Sequence, residues 1–338
     1  MEKKKEKLAI ITEEGNPGVQ KIKDRKLTDL FDFDVYTSVK QVEEIQPNTE
    51  YTGVFVMTMG NLMKFSDARE MTEILVDKSP NLRWVHTLTT GIDFLLTPKL
   101  IGAKHISFTN AKGVYSLPLA EFVLLALLYF AKKVPLFMKQ KQEHKYQKHP
   151  INLGYKTHVG IIGYGNIGRA VAKMLRDALE AKIHAITNDP VTEEEKATLE
   201  FLGNTEDIPK MLPNVDYVVT ILPLTPKTKG LIDASMFKQM KPTAIFMNIG
   251  RGPAVNEKDL IEALKNGTIA GAGLDVYEVE PLPADSPLYD MDNVLLSPHS
   301  ADITEDMLDL SLNSFEATVK DFVENKPYSN KVNMELGY

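Results

Sequence analysis

Short apolar runs at residues 8–11, 54–57, 85–88, 158–162, 183–186, 217–222, 244–248, 271–275 and 294–296 recur along the chain, and segments of helical character separate them. Runs of this length suit strands, and helices between successive strands supply the crossovers that parallel pairing requires. The alternation therefore predicts an α/β protein whose parallel sheets are doubly wound, with helices on both faces. At 338 residues the chain is long enough for about two such domains, each with its own core.

Composition removes several function classes. The chain has no cysteine, hence no disulfide, no thiolate metal site and no cysteine nucleophile. Its net charge of −7, from 46 acidic and 39 basic residues, gives no general attraction to a phosphate backbone. No arginine-rich stripe or aromatic platform appears, so nucleic acid is not an expected partner. The basic opening Met1-Glu2-Lys3-Lys4-Lys5-Glu6-Lys7 leads only into Leu8-Ala9-Ile10-Ile11, short of the ~7–15 apolar residues of a secretory h-region. The longest apolar stretch, residues 122–131, also falls short of the ~20 that span a bilayer. These features predict a cytoplasmic protein without a membrane partner. Residues 132–156, rich in Lys, Gln and His and containing Pro135 and Pro150, read as a long connection, either a domain boundary or a loop within one domain.

Residues 157–162 predict a buried strand that runs directly into Gly163-Tyr164-Gly165-Asn166-Ile167-Gly168 and then the helical Arg169-Ala170-Val171-Ala172. G-x-G-x-x-G carries meaning in this strand–turn–helix context, where a turn that binds nothing is the weaker reading. Gly163 permits the tight turn, Gly165 lets backbone approach a pyrophosphate, and Gly168 lets the helix pack on the strand. The next strand should end near the residue that holds the adenosine ribose. Asp189 follows Gly168 at about the 20-residue spacing expected of an acid on the 2′-hydroxyl, which favours NAD. If the strand stops earlier, Thr187 or Asn188 takes that place and Asp189 is a turn residue before Pro190. A hydroxyl or amide there tolerates a 2′-phosphate. The acidic Thr192-Glu193-Glu194-Glu195 and the lack of an adjacent arginine suit a phosphate dianion poorly. NAD is the expected cofactor, and NADP stays open.

Three polar residues follow buried strands in the second half: Arg251 in Asn248-Ile249-Gly250-Arg251-Gly252-Pro253, Glu280 before Pro281, and His299 after Ser297-Pro298. Open α/β sheets place their ligands at this end of the strands. Taken singly, each has a plain structural reading as a surface turn residue, a loop carboxylate or a satisfied histidine. The other histidines, at 86, 105, 144, 149, 158 and 184, form no H-E-x-x-H pattern, and no metal site is expected.

Together these segments resemble the D-isomer-specific 2-hydroxyacid dehydrogenase family. The resemblance rests on Gly163 to Gly168, Leu222-Pro223-Leu224-Thr225-Pro226-Lys227-Thr228, Asn248 to Gly252, Gly271-Ala272-Gly273-Leu274-Asp275-Val276-Tyr277, Glu280-Pro281 and Ser297-Pro298-His299, with Thr89-Thr90-Gly91-Ile92-Asp93 and Asn110-Ala111-Lys112-Gly113 upstream. It implies two doubly wound domains, with a Rossmann coenzyme domain near 113–302 inserted into a discontinuous, flavodoxin-like substrate domain formed by 1–112 and 303–338. It also implies a homodimer built largely through the coenzyme domains.

The implied reaction interconverts a 2-oxoacid and a D-2-hydroxyacid by hydride transfer. His299 is the acid/base, Glu280 its partner, and Arg251 the fork that holds the substrate carboxylate. Thr90, Gly91 and Ile92 are implied to cradle that carboxylate with backbone N–H groups. The resemblance further assigns Asn166 and Ile167 to the pyrophosphate, Leu222, Pro223 and Thr228 to the adenosine, and Ile249 and Asp275 to the nicotinamide carboxamide. The chain departs from the family pattern in the displaced acid near Thr187–Asp189 and in Asn256, where an acid is common. Met57-Thr58-Met59-Gly60, Thr89 to Phe94 and Tyr289 are candidates to line the substrate pocket. Two alternatives share the resemblance: a dinucleotide-sensing docking module of the C-terminal-binding-protein corepressor type, and a phosphite-type dehydrogenase that would keep the same three polar residues.

Overall fold

Strands buried on both faces read as continuous apolar runs, and the alternating runs of this chain form two separate parallel sheets. The computed structural model describes residues 5–58 and 63–337; Met59 and Gly60 of the candidate substrate pocket lie outside them. The chain divides into two compact units. One comprises the residues up to Val114 together with those from Glu305 onward, and the other comprises Tyr115–Thr304.

In the first unit, β1 (Glu6–Ile11), β2 (Phe31–Tyr36), β3 (Gly53–Val56), β4 (Trp84–Thr87) and β5 (Ser107–Thr109) pair in the order β2-β1-β3-β4-β5, every pair parallel. This is the flavodoxin-like order. The second unit holds β6 (His158–Ile162), β7 (Lys182–Ile186), β8 (Phe201–Gly203), β9 (Tyr217–Thr220), β10 (Ile245–Asn248), β11 (Gly271–Leu274) and β12 (Val294–Leu296). Their order, β12-β11-β10-β9-β6-β7-β8, is that of the Rossmann fold with one added edge strand, again all parallel.

Three strands escape the apolar-run reading. Phe31-Asp32-Phe33-Asp34-Val35-Tyr36 alternates apolar and charged residues because β2 is an edge strand, while β5 and β8 are only three residues long. The connection predicted at 132–156 also contains a helix, Val134–Gln142. Pro135 sits in its first turn, where a missing N–H costs no hydrogen bond.

Both faces of the first sheet are covered. Helix Phe65–Lys78 packs Ala68, Met71 and Leu75 against Ala9 and Ile11. The alternate β1 residues, Leu8 and Ile10, meet Leu312, Phe315, Val319 and Phe322 of helix Met307–Glu324. Phe315 stacks on Phe55 with ring centroids 3.9 Å apart. The chain's last long helix thus completes the core of its first sheet, which is why this unit is discontinuous in sequence.

His86 lies fully buried in that aromatic layer, between Phe55, Trp84 and Phe315. Its Nδ1 is 2.8 Å from Thr109 Oγ1, which also accepts the Trp84 indole N–H at 2.8 Å, and Nε2 has no partner among the described residues. Burial pushes the imidazole pKa down to about 3. A fold that refuses the proton loses stability as pH falls: the contribution is intact above the ordinary histidine value of ~6.5 and declines by up to ~1.4 kcal/mol per pH unit below it. Urea unfolding at about pH 7 and about pH 4.5 should show wild type losing ~2–3 kcal/mol more on acidification than His86→Leu. Equal losses would refute the assignment.

Candidate active site

Parallel strands end on one edge of their sheet, so the loops after β10, β11 and β12 are neighbours. Asn248 shapes the first of these. Its Oδ1 accepts the Gly250 N–H at 3.1 Å and its Nδ2 donates to the Arg251 carbonyl at 3.2 Å. A Cβ at Gly252 would stand 1.7 Å from the Tyr277 carbonyl oxygen, so only glycine lets this loop lie against the backbone that follows β11. There the Tyr277 N–H donates to Glu280 Oε1 at 3.0 Å, and Glu280 Oε2 stands 2.7 Å from His299 Nδ1. Tyr277 Oη donates to the Ser297 carbonyl at 2.7 Å, tying the second loop to the third.

His299 adopts φ 53°, a left-handed conformation that costs a non-glycine residue ~1–2 kcal/mol. Asp275 holds it there. This 1% exposed side chain accepts the N–H groups of Ser300 and Ala301 at 2.9 and 3.0 Å through Oδ1, and its carbonyl accepts the His299 N–H at 2.8 Å. With Nδ1 engaged by Glu280, Nε2 is the nitrogen left to exchange a proton. The Glu280 hydrogen bond raises the His299 pKa above its ordinary value, overcoming burial and the nearby Arg251 charge. Burial pushes the Glu280 carboxyl up, but the hydrogen bonds from His299 and Tyr277 outweigh it and leave the carboxyl below its usual range.

The turn after β6 is built for an anion. Gly163 has φ 104°, and a Cβ at Gly168 would lie 2.4 Å from the Gly163 carbonyl oxygen. Helix Asn166–Leu179 starts without a side-chain cap and without an acid in its first turn. A Cβ added at Gly165 meets nothing within 4 Å. Open space above unclaimed helix N–H groups fits a dinucleotide pyrophosphate. Asn166 and Ile167 are the first residues of that helix.

The remaining candidates divide between exposed turns and braced loops. β7 ends at Ile186, Thr187 Oγ1 accepts the Asp189 N–H at 3.0 Å, and Asn188 Nδ2 donates to Thr205 Oγ1 at 3.1 Å. Thr187 is half-buried, and Asp189 is exposed. Leu222 lies against the loop after β10, its N 2.6 Å from a Cβ placed on Gly250. Thr228 Oγ1 donates to the Pro223 carbonyl at 2.6 Å, so its hydroxyl shapes the loop. Ile249 is buried, with its N–H on the Thr220 carbonyl at 3.2 Å.

In the first unit, Thr90, Gly91 and Ile92 follow β4. Asn110 Nδ2 donates to the Thr90 carbonyl at 2.7 Å and Thr89 Oγ1 to the Gly91 carbonyl at 2.8 Å. Among the described residues no acceptor meets the N–H groups of Thr90, Gly91 and Ile92. Three successive unclaimed donors on a braced loop are available to an anion. The bracing residues Asn248, Gly252, Tyr277 and Asn110 had no assigned role in the sequence reading. Gly252, squeezed between Arg251 and Pro253, was the one with a local signal.

Residues 124–301 match the family described as D-isomer specific 2-hydroxyacid dehydrogenase, NAD binding domain. The chain belongs to this family. The glyoxylate/hydroxypyruvate reductase B of Enterobacter sp. (strain 638) is 34% identical over 281 residues, 80% of this chain and 83% of that one. The protein of the same name from Salmonella heidelberg (strain SL476) is 32% identical over 283 residues, 81% of this chain and 85% of that one. A D-isomer specific 2-hydroxyacid dehydrogenase from Xanthobacter autotrophicus Py2, solved in complex with NADPH and MES, is 27% identical with TM-score 0.80, covering 98% of this chain and 99% of that one. The dehydrogenase is thus an NAD(P)-dependent oxidoreductase that interconverts a 2-oxoacid and a D-2-hydroxyacid.

The histidine–carboxylate pair has a directly measurable consequence. In Glu280→Gln, the His299 imidazole should titrate at a lower pH than in wild type, because its largest raising influence is gone while Arg251 and burial remain. NMR titration of the imidazole reads this without turnover, and an unchanged midpoint would remove Glu280 as its partner.

Proposed function

We propose that this chain reduces small 2-oxoacids of the glyoxylate and hydroxypyruvate class to D-2-hydroxyacids, with the unit around residues 113–302 holding the dinucleotide and 1–112 with 303–338 holding the substrate. The observation that carries the residue roles is the 2.7 Å contact between His299 Nδ1 and Glu280. The names of the relatives support the substrate class and favour a reductase over a docking module or a phosphite-type enzyme. When bound, a reduced nicotinamide supplies the hydride. His299 donates the Nε2 proton to the carbonyl oxygen as it becomes an alkoxide, and Glu280 keeps the imidazolium available to higher pH. Arg251 holds the carboxylate with a planar fork and polarises the carbonyl, and the N–H groups of Thr90, Gly91 and Ile92 are the anion donors of the first unit. Gly163, Gly165, Asn166, Ile167 and Gly168 take the pyrophosphate, with Leu222, Pro223 and Thr228 at the adenosine and Ile249 and Asp275 at the carboxamide.

In this reading His299→Gln lowers kcat for glyoxylate or hydroxypyruvate by ~10²–10⁴-fold and leaves dinucleotide affinity within about twofold. Reduced-nicotinamide absorbance and a separate binding titration check the two halves. Wild-type silence across a 2-oxoacid panel would overturn the function, and full activity in the variant would overturn the role of His299.

The enzyme is cytoplasmic and homodimeric in the same proposal. Helix Ser116–Ala131 is apolar apart from Ser116 and Glu121, yet Leu117 and Leu125 are 61% and 56% exposed, and Leu153 further along is 73% exposed. Such a surface calls for a partner, and a second copy of the coenzyme unit is the natural one. Leu125→Glu combined with Leu153→Glu should convert a dimer to a monomer in light scattering. A wild-type monomer would refute the assembly.

A further inference from the structure

In the loop after β4, each peptide plane that carries an N–H of Thr90, Gly91 or Ile92 is held by the carbonyl on its other side. The Thr89 carbonyl accepts the Ala111 N–H at 3.3 Å. The Thr90 carbonyl accepts Asn110 Nδ2 at 2.7 Å, and the Gly91 carbonyl accepts the Thr89 hydroxyl at 2.8 Å. A trans peptide sets its N–H and C=O in opposite directions within one plane. Three carbonyls drawn back therefore turn three N–H groups the other way, and among the described residues none of these meets an acceptor.

Asn110 is itself fixed from behind. Its N–H donates to the Asn330 carbonyl at 3.4 Å, its carbonyl accepts Asn330 Nδ2 at 2.6 Å, and the same Nδ2 donates to Thr318 Oγ1 at 2.9 Å. Lys331 forms an antiparallel bridge with Thr109, and the Val332 N–H donates to the Phe108 carbonyl at 2.8 Å, so this late segment lines the edge of β5. The Thr90 carbonyl can only accept, which settles which end of the Asn110 amide faces it. Asn110 is 5% exposed, and its Oδ1 has no partner among the described residues. A buried acceptor without a donor costs stability. Packing thus does not account for an amide at this place, whereas the bond from Nδ2 to Thr90 does.

We infer that Asn110 and Thr89 are positioning residues that orient the N–H groups of Thr90, Gly91 and Ile92 and so set the affinity of this loop for the substrate anion. The inference rests on the proposed substrate role of the first unit. A peptide released from its tie can rotate its carbonyl oxygen toward the anion, which that oxygen repels. Each side chain acts through the peptide it holds, equally before and during the reaction, so its loss falls on KM and spares kcat.

Steady-state kinetics of the full chain with glyoxylate tests the assignment. Asn110→Leu keeps the shape of the amide and the main-chain bonds to Asn330 but removes the donor to Thr90. It should raise KM about five- to tenfold, the scale of one hydrogen bond, with kcat within about twofold. Thr89→Val, which keeps the volume without the hydroxyl, should do the same, and Thr89→Ser, which retains the hydroxyl, should stay within about twofold of wild type. Unchanged KM in both Asn110→Leu and Thr89→Val overturns the inference, as does a loss in Thr89→Ser equal to that in Thr89→Val. If Asn110→Leu does not fold, the two Thr89 variants decide. Amide NMR with oxalate, a dianion close in shape to glyoxylate, reads the donors without turnover. The Gly91 and Ile92 signals should shift in wild type and should need about five- to tenfold more oxalate in Asn110→Leu. If wild type reduces no 2-oxoacid while these amides behave so, the positioning role stands and the reductase reading falls. If wild type reduces glyoxylate while Gly91 and Ile92 ignore oxalate, the reductase reading stands and the positioning role falls.

Discussion

A parallel sheet delivers every strand to the same edge, and the chemistry of the second unit depends on that constraint. Arg251, Glu280 and His299 follow three successive strands, β10, β11 and β12, which are hydrogen-bonded neighbours in the sheet. Adjacency alone does not make a site, because loops diverge unless something draws them together. The contact that does so is backbone on backbone: Gly252 lies so close to the Tyr277 carbonyl that no side chain fits between them. Tyr277 then passes the constraint on through its N–H to Glu280 and its hydroxyl to Ser297. The approach of the first two loops thus relies on neutral main-chain geometry, while the Asp275 carboxylate grips the residues after His299.

The first unit solves a different problem, covering both faces of a five-stranded sheet with helices drawn from distant parts of the chain. Phe315 and Phe322 come from the last long helix and stack with Phe55 and Trp84 from β3 and β4. One face of this sheet is therefore covered by residues about 300 positions after its first strand. The same aromatic layer imprisons His86, a polar residue whose Nδ1 is served by Thr109 and whose Nε2 is not served at all. An unserved ring nitrogen is tolerable when it carries no proton, since a bare acceptor costs less in an apolar layer than an imidazolium.

Much of this organisation was legible in the residues. Apolar runs bounded by glycine and proline marked the central strands, because central parallel strands are buried on both faces and must be apolar throughout. β2 and β8 carry no such signal: Asp32 and Asp34 interrupt β2, and the three residues of β8 mix exposed and half-buried positions. The glycine motif could be placed because strand, turn and helix meet there in a fixed order. The ribose region was ambiguous for a physical reason. Whether Thr187, Asn188 or Asp189 faces a ligand depends on where β7 stops, and a strand terminus is set by the neighbouring strand's register, here Ile186 against Gly203. The grip of Asp275 on the residues after His299 was illegible, because those contacts are made to main-chain N–H groups that any residue would supply.

Two ion pairs show how similar chemistry serves opposite ends. In the Glu280–His299 pair the carboxylate engages one ring nitrogen and leaves the other able to exchange a proton, so pairing tunes a reactive group. In the Arg169–Glu195 pair the guanidinium joins one carboxylate and two carbonyls, so pairing braces the glycine turn against the loop after β7. The difference lies in the number of donors. Imidazolium has two and can give one away, whereas a guanidinium has five fixed in one plane and can join several acceptors at once.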